Sequence, residues 1–119
     1  MFYDANSLIW LQVADAIKTE LVTGKRAPGD KLPGGRDIAL QYAINPNTAA
    51  RVYKELENEK LVETRRGMGT FVTEDRERIG KLRQQMAEKA VHEFTTKMRK
   101  LGVSLEEAAQ MLAQEDQNA

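Results

Sequence analysis

The chain contains no cysteine and a single histidine, His92. The first absence excludes disulfides and thiolate chemistry and fits a cytoplasmic setting. The second leaves no means of assembling a multi-histidine metal site or a Ser-His-Asp triad within one chain, and no glycine-rich phosphate loop replaces them. No apolar run approaches the roughly 20 residues that a helix needs to cross a bilayer. The start, Met1-Phe2-Tyr3-Asp4, lacks the basic and then apolar order of an export signal. These absences argue against an enzyme, a metalloprotein and a membrane protein, so no catalytic residue, metal or cofactor is expected. Net charge is missing too, since 18 basic residues balance 18 acidic ones. Splitting the chain after Thr73 gives 10 basic against 9 acidic residues and then 8 against 9, so neither part is strongly basic. Any affinity for a polyanion must therefore come from local arrangement.

What is present is a helix-rich globular composition, 41% hydrophobic and 30% charged over 119 residues, enough for one domain or a small domain with an appendage. The spacing of Ile9, Val13, Ile17 and Leu21 predicts a helix from about Ser7 to Thr23, capped by Ser7 and ended by a left-handed Gly24. Residues 25–35 hold two of the three prolines and three of the eight glycines, which marks a loop with room for a very short strand at Lys31-Leu32. A short helix fits Arg36 to Tyr42. Asn45-Pro46 then starts another, running to about Lys60: the Asn side chain can cap it, and Pro at the first helical position gives up a donor that has no partner there. Its apolar face is Ala49, Val52, Tyr53 and Leu56. Two helices joined by a turn of about three residues make a helix-turn-helix.

Leu61-Val62-Glu63-Thr64 and Thr70-Phe71-Val72-Thr73 are β-rich and flank Arg65-Arg66-Gly67-Met68-Gly69, a basic hairpin loop. The pattern Ile79, Leu82, Met86, Ala90, Phe94, Met98, Leu101 predicts one long helix from about Arg76 to Lys100, with Gly80 as a weak point or hinge and His92 on its surface. Gly102 should end it. Ser104-Leu105-Glu106-Glu107 is a capping box for a last helix to about Gln114 that buries Ala108, Met111 and Leu112. The expected fold class is mainly α: an N-terminal winged helix-turn-helix with a small β-hairpin wing, residues 1–73, then a short two-helix tail, residues 74–119.

The order helix, Pro28-Gly29-Asp30-Lys31-Leu32-Pro33 loop, helix, helix, hairpin resembles the GntR family of bacterial transcription regulators over about residues 8 to 73. Matching segments are Trp10-Leu11-Gln12-Val13-Ala14-Asp15-Ala16-Ile17, Arg36-Asp37-Ile38-Ala39, Asn45-Pro46-Asn47-Thr48, Val52-Tyr53-Lys54-Glu55-Leu56-Glu57 and Arg65-Arg66-Gly67-Met68-Gly69-Thr70-Phe71-Val72. The Asn-Pro-Asn-Thr helix start and the short tail are similar to the YtrA-like subfamily of small dimeric repressors, often linked to transporter operons. The resemblance implies a phosphate contact at Arg36, with Asn47, Thr48 and Arg51 as polar candidates on the recognition helix. It also places Arg66 and the backbone at Gly67 and Gly69 where the wing enters or borders the minor groove, with Arg65 beside them as a further DNA-binding candidate. Departures are specific. Pro33-Gly34-Gly35-Arg36 lacks the family's serine cap, and Pro46 and Ala50 stand where many members carry arginine.

The apolar stripe of the long helix has only one short helix to cover it within the chain. It is therefore read as a dimer interface of Ile79, Leu82, Met86, Phe94, Met98 and Leu101, and a two-fold dimer implies a palindromic operator on double-stranded DNA. A small-molecule effector between the tail helices is compatible with the sequence but not indicated by it. The competing reading is a winged-helix protein-interaction module or adaptor that never meets DNA, and the zero net charge favours it.

Overall fold

The computed structural model describes residues 8–119. Its elements in chain order are α1 Ile9–Val22, α2 Gly35–Tyr42, α3 Pro46–Asn58, β1 Val62–Arg65, β2 Gly69–Val72, α4 Arg76–Lys100 and α5 Leu105–Asn118. They form two compact units, the first ending at Leu82 and the second running Arg83–Ala119. The cap proposed at Ser7 lies outside the described residues.

In the first unit α3 is central, because α1, α2 and β1 all pack against it. Val13, Ala14, Ile17 and Leu21 of α1 are buried, as are Ile38 and Ala39 of α2 and Ala49, Val52 and Leu56 of α3. Leu56, Val13, Val52 and Val72 are the largest side chains fully closed off from water. Each contributes about 1.5–3 kcal/mol of transfer free energy relative to an exposed position. Ile9, expected on the same stripe, is 46% exposed, since the buried face of α1 begins one turn later at Val13.

Helix ends follow backbone chemistry closely. The Asn45 side chain accepts from the Asn47 backbone N–H at 2.7 Å and Pro46 occupies the first turn, as the sequence implies. Two helices end on non-glycine residues in the left-handed region, Ala43 at φ 52° after α2 and Lys60 at φ 60° after α3. Each satisfies the last carbonyls by the same pair of bonds: Ile44 N donates to Ala39 O at 2.9 Å and Ala43 N to Leu40 O at 3.3 Å, while Leu61 N donates to Leu56 O and Lys60 N to Glu57 O, both at 2.9 Å. The turn of the helix-turn-helix is thus closed by hydrogen bonds without a glycine.

The strands are shifted by one residue from the expected positions, with Val62 opposite Val72 and Arg65 opposite Gly69. Arg65 and Gly69 therefore belong to the ladder, and the tip is Arg66-Gly67-Met68. Met68 N donates to Arg65 O at 2.9 Å, and Gly67 at φ 74° supplies the positive dihedral that a type II turn requires at its third position. The Pro-Gly loop folds along the other edge of β2. Gly29 N donates to Val72 O at 3.0 Å, Val72 N to Asp30 O and Leu32 N to Thr70 O at 2.8 Å, and Lys31 bridges Phe71. The wing is in effect three segments wide, and the loop shields an edge that would otherwise present unpaired backbone groups.

α4 runs through Gly80 without a break. Leu82, assigned from sequence to a dimer contact, is 6% exposed and so is already covered within the chain. In the second unit Gly102, at φ 75°, ends α4 through Val103 N to Met98 O at 2.9 Å, and Ser104 Oγ caps α5 by accepting from Glu107 N at 3.1 Å. α5 extends four residues beyond the expected Gln114, to Asn118. It buries only Ala108: Met111 and Leu112, expected inside, are 48% and 54% exposed. No helix among the described residues is long and apolar enough to cross a membrane.

Candidate nucleic-acid interface

The buried stripe of α3 dictates what its other face can do. With Ala49, Val52 and Leu56 inside, Asn47, Ala50, Arg51 and Lys54 are exposed. They recur at three- and four-residue spacing, so they share one face of the helix and begin at its N-terminus, where the helix dipole favours anions. Thr48 is half-buried and contributes less to that face. Lys54 was not singled out as a candidate from sequence, although its place three residues after Arg51 carried the signal.

The candidate arginines differ in how the protein holds them. The guanidinium carbon of Arg51 sits 4.3 Å from the centroid of the Trp10 ring, a stack between α3 and α1. Arg65 stacks on Phe71 at 4.2 Å, but its Nε also donates to Glu63 Oε1 at 2.8 Å. That closes Arg65 within the wing and partly neutralises it. Arg36, near the start of α2, and Arg66, at the wing tip, are exposed and make no ion pair among the described residues. Gly67 is exposed at the tip, with open space where a side chain would project. Gly69 is different: at φ 117° a Cβ would lie 2.9 Å from Lys31 Cε. Lys31, part of the Pro28-to-Pro33 motif but not named from sequence as a DNA contact, is thereby placed against the wing as an additional exposed cation.

Glu63 in the wing and Asp37 beside Arg36 lie near this surface, but other acids are engaged elsewhere. At the far end of α3, Glu59 pairs with Lys18 at 3.0 Å and Glu57 accepts from Thr64 Oγ1 at 2.8 Å. Glu20 of α1 is held by Arg26 at 2.9 Å and also accepts from the Tyr42 hydroxyl. Zero net charge is therefore compatible with a locally cationic face.

The turn before α2 has no side-chain cap. Gly34 occupies the cap position without a side-chain hydrogen bond. Its looseness is countered from α3, where the Tyr53 hydroxyl donates a short hydrogen bond to the Pro33 carbonyl. Burial pushes the Tyr53 phenol well above its ordinary range, partly opposed by the nearby Arg26 and reinforced by Tyr42, Asp37 and Glu20. Tyr53 thus couples the recognition helix to the loop that positions Arg36. Among the described residues no group of His, Asp or Glu could hold a metal ion.

Residues 10–72 match the model of the gntR family of bacterial regulatory proteins. The chain is 41% identical over 105 residues to an uncharacterized HTH-type transcriptional regulator, YhcF of Bacillus subtilis, covering 88% of this chain and 87% of that one. It is 43% identical over 67 residues to the HTH-type transcriptional repressor YtrA of Bacillus subtilis, covering 56% of this chain but only 52% of YtrA. Among solved structures, a GntR family transcriptional regulator from Listeria monocytogenes superposes with a TM-score of 0.86 at 36% identity, covering 94% of this chain and 98% of the other. The DNA-binding domain of AraR in complex with operator ORX1 matches at TM-score 0.57 and 25% identity, covering 61% of this chain and 93% of that one. Such membership decides between the two readings of the winged helix in favour of DNA and against an enzyme. The chain belongs to the gntR family of bacterial regulatory proteins and is a DNA-binding transcriptional regulator of the winged helix-turn-helix class, with relatives in the YtrA subfamily.

Proposed function

We propose that the protein is a cytoplasmic homodimeric repressor that occupies a palindromic operator, with residues 1–73 binding double-stranded DNA and residues 74–119 supplying the dimer contact. The observation that carries the reading is the α3 face on which Asn47, Arg51 and Lys54 are exposed while the opposite face is closed off in the core. In this reading Asn47 and Arg51 meet bases or phosphates in the major groove, with Thr48 at the margin. Arg36 meets backbone phosphate, and Arg66 approaches the minor groove over a tip whose Gly67 permits close passage. Arg65 and Gly69 serve by shaping the wing. The repressor assignment is supported by the similarity to YtrA, and a transporter operon is the kind of target the subfamily resemblance suggests. Ile79, Met86, Phe94 and Met98 are half-buried in the single chain and Leu101 is 67% exposed, so all retain apolar surface for a second copy.

Selection of bound sites from random DNA tests the proposal directly. The expected product is an inverted repeat with half-sites about 10 base pairs apart, centre to centre. Arg51→Ala should weaken binding and change sequence preference, whereas Arg66→Ala should weaken it uniformly across sequences. No enrichment, or undiminished retention of both variants on the selected site at about 150 mM salt, would overturn the assigned contacts.

A further inference from the structure

We propose that Trp10 is a positioning residue for DNA recognition: its indole is the platform that holds the Arg51 guanidinium in the orientation it uses on the operator. The inference rests on the reading of Arg51 as a DNA contact and says what prepares that contact. Arginine on an exposed helical face has four rotatable bonds, and most of its conformations do not point a guanidinium fork at a base edge. Arg51 does not sample freely. Its guanidinium carbon lies 4.3 Å from the centroid of the Trp10 ring, within the range of a cation–π contact and on the aromatic that makes the strongest one.

Stacking occupies the flat face of the guanidinium and leaves its N–H groups, which lie in the plane, directed outward from the rim. A stacked arginine can therefore still give the two parallel hydrogen bonds that guanine O6 and N7 accept, or bridge a phosphate. A second such stack among the described residues sharpens the point. Arg65 lies on Phe71 at nearly the same distance, but Glu63 takes its Nε, so that arginine is closed. Arg51 has the aromatic platform and no acid partner among the described residues. It is oriented and left open.

The platform is itself fixed by the core. Trp10 lies on α1 one turn before Val13 and Ala14, which are buried on the face of α1 that packs on α3. Its Nε1–H is buried and has no hydrogen-bond partner among the described residues, so packing and not hydrogen bonding seats the ring. Position 10 therefore uses the aromatic face, and phenylalanine there keeps a face while removing an unpartnered donor.

The test measures operator affinity of the full chain for Trp10→Phe, Trp10→Leu, Arg51→Ala and the double variant Trp10→Leu/Arg51→Ala. Thermal unfolding confirms that each is folded. Loss of the platform in Trp10→Leu should lower affinity about three- to thirtyfold, and Trp10→Phe should stay within about threefold of the parent. Trp10→Leu should have no further effect once Arg51 is alanine, and it should flatten the preference for the base that Arg51 selects. A merely structural Trp10 would instead lower affinity equally in both backgrounds, which overturns the proposal. So does a Trp10→Leu protein that binds as well as the parent, or better, while Arg51→Ala is impaired. If Arg51→Ala itself is silent, the contact reading falls and takes the inference with it. Because Trp10 is the only tryptophan, a second measurement needs no substitution at position 10: Arg51→Ala should raise the access of acrylamide to the fluorophore. Unchanged quenching would show that the stack does not exist in solution and would also overturn the proposal.

Discussion

An arginine serves a polyanion only while nothing in the protein has already neutralised it. By that standard the residues singled out from sequence separate into two groups. Arg36, Arg51 and Arg66 have no acid partner among the described residues, whereas Arg65 is spent on Glu63 and Phe71 and stiffens the hairpin. Gly69 belongs with Arg65 as a shape-determining residue. Its φ of 117° is a conformation that only glycine adopts readily, so Gly69→Ala should destabilise the fold by about 1–3 kcal/mol, read as a lowered melting temperature. Tyr53 sets a pH limit. Its phenol is raised in the folded protein and ordinary, near 10, in the unfolded chain, so its contribution is fully present below about pH 10 and is lost as pH rises further. Melting temperatures should accordingly drop above about pH 10, and Tyr53→Phe should make that drop shallower while costing about 1 kcal/mol at neutral pH through the lost bond to Pro33.

At the scale of elements, start and stop signals were legible because they are local. Asn45 and Ser104 cap the helices they precede, and Gly24 and Gly102 take the left-handed dihedrals expected of them. Asn45→Ala should cost about 1 kcal/mol of stability by leaving the Asn47 N–H unpaired at the start of the recognition helix. The opposite outcome is expected within α4. A methyl group at Gly80 meets nothing within 4 Å, so Gly80→Ala should stabilise by about 0.5–1 kcal/mol, and chemical denaturation would show it as a raised midpoint. Less legible was the wing, because a one-residue shift in strand limits depends on which residues pair across the ladder. The third segment, residues 29–32, was readable only as a short strand without a partner.

For the whole molecule, the amount of apolar surface left outside is the informative quantity. Leu101, Met111 and Leu112 are each about half exposed or more, and Val91 is 61% exposed. On the proposed dimer reading, Leu101→Glu should spare the fold of the single chain, since that side chain is 67% exposed, and yet shift sedimentation at micromolar concentration from dimer to monomer. Operator affinity should then fall by about 100-fold or more, because each half-site is bound without the effective concentration that a linked partner supplies. A variant that remains dimeric would remove Leu101 from the interface. Overall neutrality also has a consequence at this scale. On the proposed reading attraction comes from a local cationic face, so affinity should fall steeply as salt screens it, even though the net charge is zero.

The sequence by itself determined the elements and the family, because caps, glycine turns and apolar periodicity act over a few residues and the motifs lie at characteristic spacing. It also determined which face of α3 enters the core, since the apolar stripe leaves one solution. Tertiary structure alone decided the state of each charged group, because that depends on neighbours distant in the chain: Trp10 beneath Arg51, Lys31 against Gly69, Lys18 on Glu59, Tyr53 on Pro33. It also decided that Leu82 is already buried and that Met111 and Leu112 are not, since periodicity marks a face as apolar without showing how much of it the chain has elements to cover.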